Sequence, residues 1–327
     1  MLFGLTVETA MLFVGFGVLI GTLFGFFGMG GSFLVTPALL VMDYPAKVAV
    51  GSGLAFVFGT SVIASLRHRS HGQVDYKLGA IFIVGMTAGI ELGKNVVFLL
   101  EDLGMADVVV SVAYVVLLAS VGLFTLRDAR TESSNGSPGF ERVQNLRVPP
   151  MISIKGDVEI SLWITLAIAA FVGILSGFLG VGGGFLLMPA MMYVLGVPAA
   201  VAVGTDVFQI TASGAVGSYL YAQSGAVNLG IVVPLLAGSA LGARVGAAAT
   251  SIVDEEAIKG YFAAMLLAGS AAVASKHLGN AYGIEALNQL SMALIFGAAL
   301  LVSGAVIYAS VDAIREESQS GTAQTAD

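Results

Sequence analysis

The sequence predicts an all-α, polytopic membrane protein. Of its 327 residues, 57% are hydrophobic and only 11% are charged, whereas soluble domains carry about 25% charged residues. The apolar residues fall into continuous stretches of roughly 20 residues, the length that crosses a bilayer as a helix. The alternating pattern of a membrane β-barrel is not found along the sequence, so helices are the expected spanning elements.

Nine apolar stretches are long enough to be spans, four before a polar gap and five after it. Two shorter apolar pieces, 33–43 and 184–196, each follow a cluster of glycines and have about half the length of a span. We interpret these two pieces as half-helices. The nine predicted spans cover residues 8–27, 46–66, 77–100, 106–127, 160–179, 199–221, 227–250, 257–275 and 286–310.

Composition also restricts the function. The chain has no cysteine, which excludes disulfides and thiolate metal sites, and its formal net charge of -7 argues against nucleic acid as a partner. The three histidines, His68, His71 and His277, do not form a metal-binding set. The first apolar stretch lacks the flanks of a cleaved signal peptide, so we expect it to be retained. We predict no enzyme activity, no metal and no cofactor.

Charged residues in the connecting loops predict the orientation of the chain. The loop 66–77 is basic and is therefore expected on the cytoplasmic side. The loop 101–107 holds three acidic residues and no basic residue, which suits the opposite side. Residues 128–159 return to the cytoplasmic side as a solvated polar linker, with a short strand predicted near 147–154.

An internal repeat relates the two parts of the chain, at an offset of 152 residues that becomes 153 further along. Ordered glycines and prolines match over about 80 positions, which chance similarity between apolar helices does not produce. Secondary transporters are commonly built from repeats, with the substrate site at the repeat interface. The aligned residues are Gly25 with Gly177, Gly28 with Gly180, Gly30 with Gly182, Gly31 with Gly183, Phe33 with Phe185, Pro37 with Pro189, Gly85 with Gly238, Gly89 with Gly242 and Gly93 with Gly246.

We therefore predict two homologous four-span halves with glycine-broken helices. The first transmembrane repeat covers residues 1–127 and the second covers 160–276, with the linker 128–159 between them. An additional C-terminal span lies within 277–311, and a polar tail follows at 312–327. The sequence leaves open whether the halves are parallel or inverted in the membrane.

Two glycine loops interrupt the apolar sequence. The first glycine loop, residues 28–32, reads Gly-Met-Gly-Gly-Ser, and the second glycine loop, residues 180–184, reads Gly-Val-Gly-Gly-Gly. Unwound backbone does not face lipid, because each unsatisfied peptide group there costs on the order of several kcal/mol. The loops must therefore be buried in protein or line an aqueous cavity.

The same loops are candidate anion sites. Their N–H groups can converge without intervening side chains, and the dipole of a following half-helix attracts negative charge to the same point. The predicted binding residues are Gly28, Gly30, Gly31, Ser32 and Thr36 in the first half and Gly180, Gly182, Gly183 and Gly184 in the second. Tight helix crossing is the alternative, and we prefer it for the glycines spaced by four, which are Gly85, Gly89, Gly93, Gly238, Gly242 and Gly246.

The doubled motif G-x-G-G-G/S-F-L-x-x-P, followed in each half by P-x-x-V-A-x-G-T/S, resembles the sulfite exporter TauE/SafE family of membrane transporters. The similarity extends from about residue 10 to about residue 275. The resemblance implies transport of small sulfur-containing anions, such as sulfite or organosulfonates, often outward. The last predicted span, 286–310, lies outside the four-plus-four pattern of the family.

Charged residues within the predicted spans are further candidates, because charge at membrane depth is costly and usually functional. Glu91 and Arg244 occupy equivalent places in the repeat. They are expected either to pair with each other or to act separately, with Arg244 contacting the substrate oxyanion. A local ion pair between Glu91 and Lys94 is a third interpretation.

The sixth predicted span carries Asp206 and a polar stripe. Asp206 next to an anion site would repel the substrate when ionised, so its protonation is a candidate coupling step, with Glu91 as a second coupling residue. N-capping of the span is the alternative for Asp206. Thr205, Gln209 and Ser213 share one helix face and either line a substrate pathway or form hydrogen bonds between helices.

These observations predict a secondary transporter in the cell membrane that works by alternating access. Its expected partners are a small inorganic or organic sulfur anion and the lipid bilayer, with a second copy of the chain as a candidate partner in a homodimer. No P-loop motif is found, so a gradient is the expected energy source. An anion channel and a non-transporting membrane scaffold are the competing interpretations.

Overall fold

The structure is a computed structural model that describes residues 6–27, 33–68, 74–130, 148–155, 158–250 and 255–324. Within these ranges the chain forms eleven α-helices, one π-helix and two β-strands. The elements are α1 (Val7–Phe27), α2 (Val35–Val41), α3 (Ala46–His68), α4 (Tyr76–Asp102), α5 (Ala106–Arg130), β1 (Met151–Ile154), β2 (Val158–Ser161), α6 (Leu162–Leu179), α7 (Gly184–Pro189), the π-helix Ala190–Val194, α8 (Ala199–Gln223), α9 (Leu229–Thr250), α10 (Glu255–Tyr282) and α11 (Glu285–Gln324).

Eight helices of the described chain are long and apolar enough to cross a membrane: α1, α3, α4, α5, α6, α9, α10 and α11. The remaining predicted span, 199–221, corresponds to α8, which has 25 residues but is not among the eight. Its middle carries Asp206, Gln209 and several hydroxyl side chains, which lower its hydropathy. All nine predicted stretches are helical over most of their length. Residues 160–161 belong to β2, α9 begins at Leu229, and α11 continues to Gln324, into the predicted polar tail.

The two short apolar pieces form short helices. α2 has seven residues, and it follows the first glycine loop, whose residues lie outside the described ranges. α7 has six residues and leads directly into the π-helix Ala190–Val194. Pro189 lies at the junction and lacks the N–H that an α-helix requires at an interior position, which accounts for the change in hydrogen bonding there.

The C-terminal end of the linker forms a β-hairpin from the two strands of the described chain. β1 and β2 pair antiparallel, with Met151 opposite Ser161 and Ile154 opposite Val158, so the short strand predicted near 147–154 is confirmed. The expectation of a fully solvated linker is wrong at this end. Ile154 and Ile160 are buried in an apolar cluster with residues of α4, α6 and α7, because one face of the hairpin is apolar.

The chain divides into two compact units. The first unit comprises residues 1–28, 115–132 and 234–327, and therefore contains α1, the end of α5, most of α9, α10 and α11. The second unit comprises residues 29–114 and 133–233. It contains the two short helices, the hairpin, α3, α4, α6, α8 and the second glycine loop.

In the second unit, α4 and α6 pack through glycines with their backbones in contact. A Cβ atom on Gly89 would overlap the carbonyl oxygen of Ala170, and one on Gly93 would overlap that of Ile174. From the other helix, a Cβ on Gly177 would overlap the carbonyl oxygen of Ile90. The small residues thus allow the closest approach of two helices, as expected for membrane interiors.

In the first unit, α1 and α9 pack in the same way. A Cβ atom on Gly242 would overlap the carbonyl oxygen of Val18, and one on Gly246 would overlap that of Thr22. Both helices are apolar over their length. The prediction that the glycines spaced by four are packing faces is confirmed for both sets.

Replacing Gly89 by alanine is expected to lower the free energy of unfolding by about 1–3 kcal/mol, because the added methyl group forces α4 and α6 apart. Thermal unfolding in detergent measures the effect. Gly15 on α1 is the matched control: it is exposed, and nothing in the structure lies within 4 Å of an added Cβ. Gly15→Ala should match or slightly exceed wild type, since alanine favours helix. Equal melting temperatures for Gly89→Ala and wild type would contradict the interpretation.

Candidate functional site

The second glycine loop separates α6 from α7 by a sharp turn. α6 ends at Leu179, and Gly180, Gly182 and Gly183 adopt left-handed φ angles of 75°, 68° and 77°. Residues with a Cβ atom rarely take up these angles. Every residue of the loop is buried. The sequence predicts that unwound backbone is either buried in protein or lines an aqueous cavity, and for this loop the structure shows burial.

The N–H groups of the loop differ in how they are satisfied. The Gly180 N–H donates to the Ser176 carbonyl at 2.7 Å. No acceptor is found within the described chain for the N–H groups of Gly182, Gly183 and Gly184. Three successive buried donors that have no acceptor among the described residues are the groups that an anionic oxygen would meet.

Asp206 lies beside these donors. An added Cβ on Gly184 would be 3.0 Å from its Oδ2 atom, so the carboxyl group faces the start of α7. Gln209 Nε2 donates to Asp206 Oδ1 at 3.0 Å, and the Ser213 hydroxyl donates to Gln209 Oε1 at 3.2 Å. Because α8 begins at Ala199, Asp206 is about two turns inside the helix, and the N-capping alternative is wrong.

Thr205 connects α8 to the start of α4. Its hydroxyl oxygen accepts the backbone N–H of Asp75 at 3.0 Å. For Thr205, this bond agrees with the interpretation that the polar stripe forms hydrogen bonds between helices. Gln209 and Ser213, by contrast, bond along their own helix. All three side chains are fully buried, so a role in a substrate pathway stays a prediction.

Asp75 anchors both α4 and the hairpin. Its Oδ1 accepts the N–H groups of Lys77 and Leu78 at 2.9 and 3.0 Å, and so caps the helix. Its Oδ2 accepts the N–H of Lys155, which follows β1, at 2.6 Å. A carboxylate that is 4% exposed is thus surrounded by three backbone donors, and the linker is held against the membrane-spanning part at this point.

Residues that follow the first glycine loop contact the second one. Thr36 on α2 is fully buried, and an added Cβ on Gly180 would be 2.9 Å from its Oγ1 atom. The rings of Phe33 and Phe185, the residues that directly follow the two loops, have centroids 5.9 Å apart. The predicted site residues of the first loop, Gly28, Gly30, Gly31 and Ser32, lie outside the described residues.

The other predicted charged residues are less enclosed. Arg244 is exposed on α9, and Glu91 is half-buried on α4. Glu91 forms no ion pair with Lys94 in the part of the chain that the structure describes, and its pairing with Arg244 stays a prediction. Lys94 Nζ instead lies over the ring of Phe98, 5.6 Å from its centroid. Contact of Arg244 with a substrate, and coupling through Glu91, stay predictions.

Three buried residues whose hydrogen bonds join separate elements were not among the predicted site residues: Asp75, Tyr114 and Tyr221. The position of Asp75, just before an apolar helix, is a typical N-cap signal. Tyr114 is the one tyrosine within the apolar stretch 106–127, where a hydroxyl group needs a partner. These signals indicate that the groups are satisfied by hydrogen bonds but do not identify their partners.

Comparison with known proteins identifies the family. The family model described as sulfite exporter TauE/SafE matches residues 13–273. The chain belongs to this family. Among its relatives, the probable membrane transporter protein YunE of Bacillus subtilis is 30% identical over 249 residues, which cover 73% of this chain and 87% of the relative. No solved structure matches the chain.

Further relatives of this TauE/SafE family member carry the same description. A probable membrane transporter protein of Xylella fastidiosa is 27% identical, covering 74% of this chain and 85% of its own length. One of Methanocaldococcus jannaschii is 28% identical, covering 70% and 83%. With the eight apolar helices, these matches make the chain a multi-pass membrane transporter and not an enzyme.

Replacing Asp75 by alanine is expected to cost about 2–3 kcal/mol of stability, because it removes the helix cap and leaves the buried Lys155 N–H without its acceptor. Asp75→Asn is the matched control. It keeps an oxygen for the cap and loses the acceptor for the hairpin, so about half of that loss is expected. Chemical unfolding in detergent gives both values. If Asp75→Asn and Asp75→Ala are equally destabilised, the cap does not contribute as described.

Proposed function

We propose that this transporter carries small sulfur-containing anions, such as sulfite or organosulfonates, outward by alternating access. The observation that carries the proposal is the second glycine loop, where the N–H groups of Gly182, Gly183 and Gly184 have no acceptor within the described chain. Oxyanions of sulfur present several acceptor oxygens and match a set of converging N–H donors. The description of the family as sulfite exporters supports the same class of substrate and the outward direction.

Two homologous halves with glycine-broken helices are part of the proposal. The helix contacts support it. Gly89 meets Ala170 and Ile174, whereas Gly242 meets Val18 and Thr22, and these pairs of partners are related by the same offset as the sequence repeat. In each case the third span of one half packs on the first span of the other half. Two equivalent helix contacts of this kind are expected when the two halves of a chain arose by duplication and each half retains the same packing.

Alternating access fits a site made from both halves. In duplicated transporters, one repeat moves against the other around a site at their interface. Thr36 belongs to the predicted first half and Gly180 to the second, and the two are in contact. A movement of the halves would therefore change the surroundings of the loop directly. A homodimer with a second copy of the chain stays a prediction.

Proton coupling is proposed through Asp206. Its carboxyl group faces Gly184, the last of the three donors, so the ionised form competes with a bound anion for the same positive potential. Protonation removes this repulsion, so that binding of the anion is linked to the protonation of Asp206. This linkage makes substrate binding stronger at lower pH.

The charged groups on neighbouring elements differ from Asp206 in their surroundings. Helix α7 carries no titratable side chain, and Lys47 at the start of α3 pairs with Glu101 at 2.9 Å. Asp75 at the start of α4 is bound by three backbone N–H groups. Glu91 on α4 is half-buried and is proposed only as a secondary coupling residue.

The glycine loop is tested by counterflow of labelled sulfite, sulfoacetate, thiosulfate and sulfate in proteoliposomes. Gly183→Ala is expected to raise KM roughly tenfold, because alanine is strained at positive φ by about 1–2 kcal/mol and turns the adjacent N–H groups. Gly104→Ala is the matched control: Gly104 has a φ of 70° and open space around it, and lies outside the loop.

Three results would contradict parts of this proposal. An unchanged KM in Gly183→Ala argues against anion binding at the second glycine loop. Flux of wild-type protein without saturation or counterflow favours an anion channel. No flux for any anion of the panel favours a non-transporting scaffold.

The coupling step is tested with Asp206→Asn and methanesulfonate, whose charge does not change between pH 5 and 8. Wild-type uptake is expected to rise severalfold as the pH on the binding side falls, because protonation of Asp206 admits the anion. Asp206→Asn should be nearly independent of pH, since its side chain is neutral throughout. Asp75→Asn, a change at a buried carboxyl group held by backbone donors, should keep the pH dependence. An unchanged pH dependence in Asp206→Asn removes the coupling hypothesis.

A further inference from the structure

The carbonyl groups at the end of α6 are a separate feature of the second glycine loop. The last carbonyls of any helix lack intrahelical donors, and α6 ends at Leu179, inside the protein. A carbonyl oxygen carries partial negative charge and is a ligand for cations. If these oxygens pointed toward a bound substrate, they would oppose the binding of an anion.

Two tyrosine hydroxyls donate hydrogen bonds to these carbonyls. The Tyr221 hydroxyl donates to the Gly177 carbonyl at 2.6 Å, and the Tyr114 hydroxyl donates to the Leu179 carbonyl. Tyr114 comes from α5 and Tyr221 from α8, and both side chains are completely buried. Two helices that are distant in sequence from α6 thus supply one donor each to its end.

The packing around both rings fixes their hydroxyls in place. The Tyr221 ring lies 5.8 Å from the ring of Phe98, centroid to centroid, and Gly51 approaches it so closely that an added Cβ would be 3.0 Å from Tyr221 Cδ1. The Tyr114 side chain is likewise completely buried, and its hydroxyl reaches the Leu179 carbonyl at the end of α6.

We propose that Tyr114 and Tyr221 are positioning residues that give the second glycine loop its preference for anions. Their hydroxyls hold two carbonyl oxygens of α6 and turn them away from the substrate. The N–H groups of Gly182, Gly183 and Gly184 have no acceptor in the described chain and stay available to a bound oxyanion. The inference rests on the proposed anion transport and adds the groups that determine the sign of the accepted charge.

The proposal predicts an effect on affinity that a purely structural hydrogen bond would not have. Phenylalanine at either position keeps the ring and its packing but releases one carbonyl oxygen toward the loop. The released oxygen repels an anion in the bound state, so KM rises while the maximal rate changes little. Loss of a structural hydrogen bond alone lowers thermal stability and the amount of active protein but leaves KM unchanged.

The test compares Tyr114→Phe, Tyr221→Phe and Tyr219→Phe in the counterflow assay with methanesulfonate. Tyr219 is the matched control on α8: it is 61% exposed, and its hydroxyl accepts from Gln223 Nε2 at 2.7 Å. We expect KM to rise roughly tenfold in Tyr114→Phe and in Tyr221→Phe, and to stay at the wild-type value in Tyr219→Phe. If one buried variant does not fold, the other decides. Unchanged KM in a folded buried variant overturns the proposal.

Amide hydrogen exchange of residues 177–187 in detergent separates this inference from the proposed function. Tyr114→Phe and Tyr221→Phe are expected to exchange severalfold faster over this segment than wild type, whereas Tyr219→Phe should not. If wild type carries no anion, the proposed function fails, and the exchange rates still decide whether the tyrosines hold the loop. Exchange at the wild-type rate in both buried variants overturns the inference.

Discussion

The backbone of the second glycine loop must satisfy its polar groups without help from bulk water, and this constraint shapes its surroundings. The carbonyl oxygens of Gly177 and Leu179 receive hydroxyl donors from two other helices, and the Gly183 carbonyl accepts N–H groups from α7. The N–H groups of Gly182, Gly183 and Gly184, by contrast, have no acceptor in the described chain. A buried loop with three such donors, next to helix-end carbonyls that already accept hydroxyl groups, favours negative charge.

Close backbone packing places the end of α6 where these donors can reach it. Glycines on α4 and α6 let the two helices touch along their length. On α3, Gly53 leaves room for the second glycine loop: a Cβ atom added there would lie only 2.9 Å from the Gly180 carbonyl oxygen. Larger residues at these positions would move α6 away from Thr36 and from the two tyrosines. The glycines therefore have two effects: they allow close helix packing, and they bring the second glycine loop into contact with Thr36 and the two tyrosines.

Features with a regular spacing were predictable from the sequence. The apolar stretches gave the positions of α1 to α11, the four-residue spacing indicated the glycine contacts, and helical periodicity placed Thr205, Gln209 and Ser213 on one buried face. The hydrogen-bond partners of the buried polar residues were not predictable from the sequence. Tyr114 is one residue in an apolar span, and its bond to Leu179 depends on how α5 lies against a helix 65 positions away. The hairpin was predicted only as a strand, because the burial of Ile154 and Ile160 follows from tertiary contacts.

Asp206 on α8 and Asp75, which contacts α8 through Thr205, are both buried carboxylates. Their hydrogen-bond donors differ, and this difference separates their roles. Three backbone N–H groups compensate Asp75, and these donors cannot leave without unfolding the start of α4 or the hairpin. Asp206 receives one side-chain donor, Gln209, which can rotate. The donors of Asp75 are part of the backbone fold, whereas the donor of Asp206 needs only a side-chain rotation to change its hydrogen bond. Asp75 is thus suited to a structural anchor and Asp206 to a group that changes protonation as the substrate binds and leaves.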